Sequence, residues 1–402
     1  MLRRLGEIPP TAGLPLQAAD LLPRGDALTL RLAAQLGVPP LQLTCSGTAA
    51  LLITLSTLSE LAPGRNVVVV PAYTCPLVAI AVHRLGLRLR LCDTRPGHWD
   101  LDPHRLAALC DERTLALVPT HLAGLVADVE TPLAMARACG AFVIEDAAQA
   151  LGARDGAHSV GLRGDAGFFS LAAGKGLSIY EGGLLVAREE ALREALSATA
   201  RRDERAGCRQ ELRRSLELVM LAALYRPLGL RLAYGVPLRR ALRRRDPVTA
   251  VGDVFPPEIP FHRVGRWRRG VGTRAASRLP AFLSANRARA RARIARLREL
   301  PGVIAFDETS GTTGSWPFLM LRMPDAERAT AVLARLWGSG LGVSRLFAHA
   351  LPDYAYLADR IPQTPMPHAA DFAARTLTIT NSPWLDDTAF EHIVDVIAHT
   401  LG

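Results

Sequence analysis

Lys175 is the only lysine in a chain of 402 residues whose other 47 basic side chains are all arginine. Both side chains are cations, but only the lysine amine gives up its proton readily enough to act as a nucleophile. The stretch FFSLAAGKGLSIYEGGLLV (168–186) places Ser170 five positions ahead of this amine. Glycines on either side let the backbone approach a ligand. The stretch is not a triphosphate cradle: a Walker loop requires glycine at 169 and Ser or Thr at 176, where Phe169 and Gly176 stand. In TCSGTAALLITL (44–55), Ser46, Gly47 and Thr48 open an apolar helix whose unpaired N–H groups suit a phosphate; the same residues also read as a plain N-cap. In AFVIEDAAQALGA (141–153), Glu145 and Asp146 end a buried strand, either where ligands bind in open α/β sheets or as the cap of the next helix. An amine, an acid and a phosphate anchor together suit pyridoxal phosphate. That cofactor needs an amine for a Schiff base, an anion beside its pyridine nitrogen and a hold on its phosphate. Desolvation and the cationic ring are expected to lower the pKa of Lys175.

These groups need a scaffold. NVVVV (66–70), LRLCD (89–93), LALVPTH (115–121), AFVIED (141–146), GFFSLA (167–172) and GGLLVA (182–187) are short apolar runs, most of them separated by helical spacing such as PHRLAALCDE (103–112) and PLAMARACG (132–140). Strands buried on both faces and alternating with helices predict a three-layer α/β/α architecture on a mostly parallel sheet. The short link between the last two runs predicts one antiparallel or irregular pairing. Residues 200–262 break the pattern with arginine-rich text punctuated by Pro227, Gly229, Gly235 and Pro237, read as an insertion of short helices. A long helix at 284–300 leads on to strand, helix and strand at 316–346, and an amphipathic helix closes the chain. The organisation expected is a large cofactor-binding domain over 1–200, an arginine-rich helical insertion over 201–265 and a smaller C-terminal α+β domain over 266–402.

The net charge of +10 is uneven: residues 201–300 hold 25 arginines against eight acids, leaving the rest slightly acidic. This block reads as solvated helix faces, or as a peripheral contact with a membrane or polyanion. With no zinc-finger spacing and no interleaved aromatic platform, nucleic acid is not an expected partner, and no metal site is expected. The six cysteines lack C-x-x-C pairing and read as free thiols of a reducing compartment. MLRRLGEIPP has no apolar core of a signal peptide, and the longest apolar run, Leu218 to Tyr225, is too short to span a bilayer. A cytoplasmic location is the expectation.

The chain resembles the pyridoxal-phosphate-dependent sugar aminotransferases of the DegT/StrS type, which have the type I aminotransferase fold. The resemblance runs through SGTAAL (46–51), VVVVPAYTC (67–75), CDTRPGHWDLDP (92–103), RTLALVPTHLAG (113–124), VIEDAAQALGA (143–153), FFSLAAGKGLSIYEGG (168–183) and, more loosely, ARTLTITNSPWL (374–385), and it fails across about 204–262. It implies that Lys175 forms the Schiff base and shuttles a proton, and that Asp146 pairs with the pyridine nitrogen. Gln149 would lie against the ring or its phenolic oxygen, with Ser170, Gly47 and Thr48 on the phosphate. Cys75 occupies the position where the family usually stacks an aromatic residue, leaving Tyr73 as a substitute ring; Ser382 stands at a position usually held by histidine. His121 reads as a structural histidine at a strand end. Arg345 and His349 fall in the region that receives substrate and are candidates for holding an anionic group. The resemblance also implies a homodimer acting on an amino donor such as glutamate and a keto-sugar, nucleotide-linked. Two other readings stand beside it: the same cofactor used by a lyase, racemase or carbon–carbon bond-forming enzyme, or a non-catalytic regulatory protein that docks through its arginine-rich part.

Overall fold

The computed structural model describes residues 6–23, 25–256 and 258–402; the N-terminal Arg3 and Arg4 lie outside them. The main sheet has seven strands: β1 (Gln42–Thr44), β2 (Val67–Pro71), β3 (Arg88–Cys92), β4 (Thr114–Leu117), β5 (Phe142–Asp146), β8 (Ala166–Ser170) and β9 (Gly183–Ala187). Two-residue strands β6 (Arg154–Asp155) and β7 (His158–Ser159) intervene and pair with each other, and β6 also pairs with a later strand, β11 (Thr312–Thr313). The order is β1-β9-β8-β5-β4-β2-β3, parallel except where β9 runs against both β8 and β1. The expected antiparallel pair is present. The three-residue strand β1 was not foreseen.

The valine run of β2 shows why this is a three-layer structure. Val67 and Val69 face one side, where they meet Leu106, Val129 and Ala136; Val68 and Val70 face the other, against the cluster that holds Leu51, Leu55 and Val78. Strict alternation sends successive side chains to opposite faces, so a run of four valines needs cover on both. Helices α4 (Pro103–Leu109) and α5 (Glu130–Cys139) cover the first face, and α2 (Gly47–Leu61) and α3 (Pro76–Arg84) the second. All four valines are fully buried, each worth roughly 1.5–3 kcal/mol of transfer free energy.

Further helices are α1 (Leu28–Leu36) and α6 (Glu190–Asp203), then α7 (Cys208–Leu224), α8 (Pro227–Leu230), α9 (Val236–Arg243) and α10 (Pro247–Val251) in the insertion. The last run is α11 (Arg266–Ala275), α12 (Leu279–Leu297), α13 (Ala326–Leu336), α14 (Pro367–Arg375) and α15 (Asp387–Leu401), of which α12 and α13 lie against a second sheet. That sheet is antiparallel, in the order β10 (Ile304–Ala305), β12 (Phe318–Arg322), β14 (Thr376–Thr380), β13 (Val343–Ser344). Val271 and Ala275 of α11 and Leu279 and Leu283 of α12 pack with Leu28 and Leu32 of α1; Ala290, Ile294 and Leu297 pack with the C-terminal core. Helix α12 therefore spans both units, and the packing changes hands within it rather than at residue 266. Among the described residues no helix is long and apolar enough to cross a membrane.

Candidate active site

The carboxyl ends of β5 and β8, the segment after β2 and the start of α2 converge, as expected where a parallel sheet meets its crossovers. Strand β5 separates its two acids. The Glu145 carboxylate accepts from the Gly161 and Gly164 N–H groups, each at 2.8 Å, and from His121 Nε2 at 2.9 Å. Since His121 Nδ1 accepts the Ala127 N–H at 3.0 Å, its proton sits on Nε2. Burial pushes the Glu145 pKa up, but the His121 and backbone hydrogen bonds together more than offset it, leaving Glu145 below the ordinary carboxylate value. Glu145 and His121 are thus a closed structural pair.

Asp146 points the other way and is buried with a lighter set of partners. Its Oδ1 accepts the Ala148 N–H at 3.0 Å. Burial raises its pKa, opposed by that hydrogen bond and by the charges of Lys175 and His121. Lys175 shows the complementary shift: burial lowers its pKa, while Cys75 and Asp146 pull it back up. The amine, the thiol and the carboxylate therefore share one desolvated neighbourhood.

The loop holding Lys175 is tied to itself. Lys175 N–H donates to Ala172 O at 3.1 Å, Ala173 N–H to Tyr180 O at 2.9 Å and Ile179 N–H to Leu171 O at 3.1 Å. Gly174 has φ +80°, and a Cβ there would also strike Thr11 Oγ1 at 2.6 Å. The N-terminal segment lies over this loop: Leu14 N–H donates to Gly176 O at 3.2 Å, and Tyr225 of the insertion holds the segment by donating to Thr11 O at 3.1 Å.

Beside the loop, Ser46 caps α2 by accepting the Ala49 N–H at 3.0 Å. Gly47 and Thr48 stand at the first two helical positions, where N–H groups have no intrahelical partner. A Cβ on Gly47 would come within 3.4 Å of Ser170 Cβ and 3.6 Å of Phe169 O, so the helix start and the end of β8 abut. Ser170 Oγ accepts the Ala172 N–H at 3.3 Å and keeps its own proton to donate. Gln149 is half-buried, with Oε1 accepting the Ala123 N–H at 3.0 Å. The residues present fit pyridoxal phosphate: an amine of depressed pKa, a buried carboxylate and a helix start that abuts Ser170.

Two sequence expectations need correction here. The Tyr73 ring is 1% exposed and packs edge-on against Phe347 at 5.3 Å and Phe372 at 5.1 Å, so it has no free face to offer a ligand. Arg345 and His349 line a groove of about 1000 Å³ whose other walls include Arg239 and Arg243 of α9 and Leu333 of α13; Lys175 and Asp146 are not among its walls. Arg345 Nη1 donates to Ala373 O at 3.0 Å, and the His349 ring meets Tyr354 edge-on at 5.4 Å. Both pKa values are lowered, chiefly by burial. Cys75 stands beside Lys175 and Asp146, and burial pushes its thiol up to about 12.

Two positioning residues, Arg268 and Asp253, were not foreseen. The fully buried Arg268 clamps both Glu211 oxygens, through Nε at 2.8 Å and Nη2 at 2.5 Å, while its Nη1 donates to Glu181 O at 2.5 Å. It joins α7 and α11 to the strand that follows the Lys175 loop. Arg268→Ala is expected to cost about 3–5 kcal/mol in urea unfolding, because it leaves Glu211 beside an unfilled site. The paired change Arg268→Met with Glu211→Leu should recover much of the loss. Asp253 Oδ2 accepts the Ala348 N–H at 2.8 Å and the Tyr354 hydroxyl at 2.5 Å, holding the segment that carries Arg345 and His349.

The sequence model of the DegT/DnrJ/EryC1/StrS aminotransferase family matches residues 23–217. MosB of Rhizobium meliloti is 37% identical over 151 residues, 38% of this chain and 29% of that protein. The UDP-N-acetyl-3-dehydro-alpha-D-glucosamine 3-aminotransferase of Acidithiobacillus ferrooxidans is 36% identical over 174 residues, 43% of this chain and 47% of that protein. The chain thus spans under half the length of these relatives. The crystal structure of the aminotransferase TlmJ from Streptoalloteichus hindustanus superposes with a TM-score of 0.75 at 22% identity, over 98% of this chain and 99% of that one. At that identity the likeness speaks for the fold.

Proposed function

We propose that this chain, whose residues 23–217 match the sequence model of the DegT/DnrJ/EryC1/StrS aminotransferase family, moves an amino group from an amino acid, glutamate first, to a keto-sugar carried on a nucleotide. The observation that carries this reading is the chain's single lysine amine, depressed in pKa by burial and facing the buried Asp146 carboxylate beside the Gly47–Ser170 junction. The family and the solved neighbours imply pyridoxal phosphate. When bound, it supplies an aldehyde that captures amines and a ring that accepts electrons.

The chain's own residues do the rest. Lys175 Nζ, its pKa lowered by burial, can take the proton from the amine-bearing carbon of the donor and return it to the accepting carbon. Asp146 would hold a proton on the ring nitrogen; its burial makes that ion pair strong and gives the carboxylate nothing better to bind. The Gly47 and Thr48 N–H groups and the Ser170 hydroxyl would hold the phosphate. Gln149, anchored through Oε1, keeps its amide N–H groups for a ring oxygen. Tyr225 and the N-terminal segment cover the backbone of the loop that carries the amine. The homodimer implied by the resemblance is part of the proposal.

Incubation of the purified protein, loaded with pyridoxal phosphate, with glutamate alone should yield one equivalent of 2-oxoglutarate per chain. A second equivalent should appear only when a keto-sugar nucleotide is added and its carbonyl oxygen is exchanged for an amino group and a hydrogen, read as the corresponding small mass shift. Failure to form an oxo acid from any amino donor would sink the transaminase reading and leave the lyase or racemase chemistry of the same cofactor.

A further inference from the structure

We propose that the insertion seats this chain on an anionic lipid surface through the outer face of α7. The helix has two apolar faces. Leu218 and Leu221 face inward and pack beneath the Lys175 loop region. Leu212, Leu216, Val219 and Met220, spaced i, i+4, i+7, i+8, form a stripe on the opposite face and are 42–64% exposed. Exposed leucines continue beyond the helix at Leu228 and Leu232, about 70% exposed. Six large apolar side chains in 21 residues (212–232) are more than the scattered exposure of an ordinary surface.

Charge selects the occupant. Residues 205–245 carry eleven arginines and two glutamates. Both glutamates are already taken, Glu211 by Arg268 and Glu217 by Arg213 and Arg214. Exposed Arg209 and Arg213 border the stripe on α7, and Arg226 and Arg240 follow it in the chain. An apolar stripe edged with arginine is the pattern of a helix lying in the headgroup layer, where apolar burial and attraction to anionic lipid add. A second copy is the poorer fit, because a two-fold contact through this face would set the arginine border of one chain against that of the other. The stripe faces away from the Lys175 loop, so this inference does not depend on which reaction that loop supports.

The test is flotation of the full-length, cofactor-loaded protein with phosphatidylcholine vesicles, with or without roughly one third phosphatidylglycerol. The expected result is at least ~10-fold greater recovery with the anionic vesicles, falling as salt is raised. Leu216→Glu with Met220→Glu should abolish recovery while sedimentation and the cofactor's absorbance stay unchanged. Arg209→Glu with Arg213→Glu should reduce it at least several-fold. No flotation of the wild type, or equal flotation of wild type and either variant, overturns the proposal. So does a Leu216/Met220 variant whose oligomeric state falls in sedimentation, which assigns the stripe to a second copy. Binding to soluble polyanions without binding to vesicles overturns it as well.

Discussion

Replacing Lys175 with alanine is expected to lower amino transfer by at least ~10⁴-fold, the loss of the attacking amine and of the proton carrier together. Arginine at the same position should fare no better, although it preserves the charge, because a guanidinium neither adds to an aldehyde nor gives up its proton at neutral pH. The composition makes this test unusually clean. With one lysine in the chain, borohydride treatment of the cofactor-loaded wild type should fix cofactor to a single internal peptide, the one containing Lys175. The alanine variant should carry none there. An internal label that survives Lys175→Ala, or full turnover by the variant, would contradict the assignment. Misfolding is not the expected cause of the loss: Lys175 is half-buried, its loop is held by backbone hydrogen bonds among residues 171–182, and circular dichroism should match the wild type.

The parts of the site legible in the sequence are those fixed by local pattern. Ser170, Asp146 and the Gly47–Thr48 helix start sit at ends of strongly patterned elements, and the ends of parallel strands are where a sheet of this class opens. Alternation along β5 also explains which acid is available, since Glu145 and Asp146 must face opposite ways. What was not legible depends on contacts between distant segments. Arg268 and Glu211 are 57 positions apart, and nothing in either neighbourhood singles out one arginine among 47. Tyr73 follows a buried strand and could have faced the site or the core; only the arrival of Phe347 and Phe372 from the C-terminal unit decides for the core. Arg345 and His349 were placed by sequence position relative to the family, and which groove they line depends on α9 and α13 arriving from elsewhere in the chain. Strand β1, at three residues, is too short to leave a periodic signal and is recognised only by its ladder with β9.

Asp146→Asn should be the second most damaging change, lowering turnover roughly 10²–10³-fold, the usual cost of removing one preorganised electrostatic partner from a closed site. Unlike the lysine variants it should still bind cofactor covalently, so the two substitutions separate capture from catalysis. Its effect on stability has a sign that can be worked out. Burial raises the Asp146 pKa above its unfolded value, with Lys175 and the Ala148 N–H only partly opposing it. The folded chain therefore keeps a proton in a window where the unfolded chain has lost it. Stability falls as pH rises through that window and stays lower above it. Asparagine has no such cost. In the cofactor-free protein the variant should thus match the wild type below the ordinary carboxylate pKa and unfold at higher denaturant concentration near neutrality. Bound cofactor should reverse that order, because a protonated ring nitrogen pairs with the carboxylate and not with the amide. A denaturation series at two pH values, with and without pyridoxal phosphate, reads all four cases. If the variant loses stability at neutral pH in the absence of cofactor, Asp146 is a structural acid like Glu145, and the role given to it here is wrong.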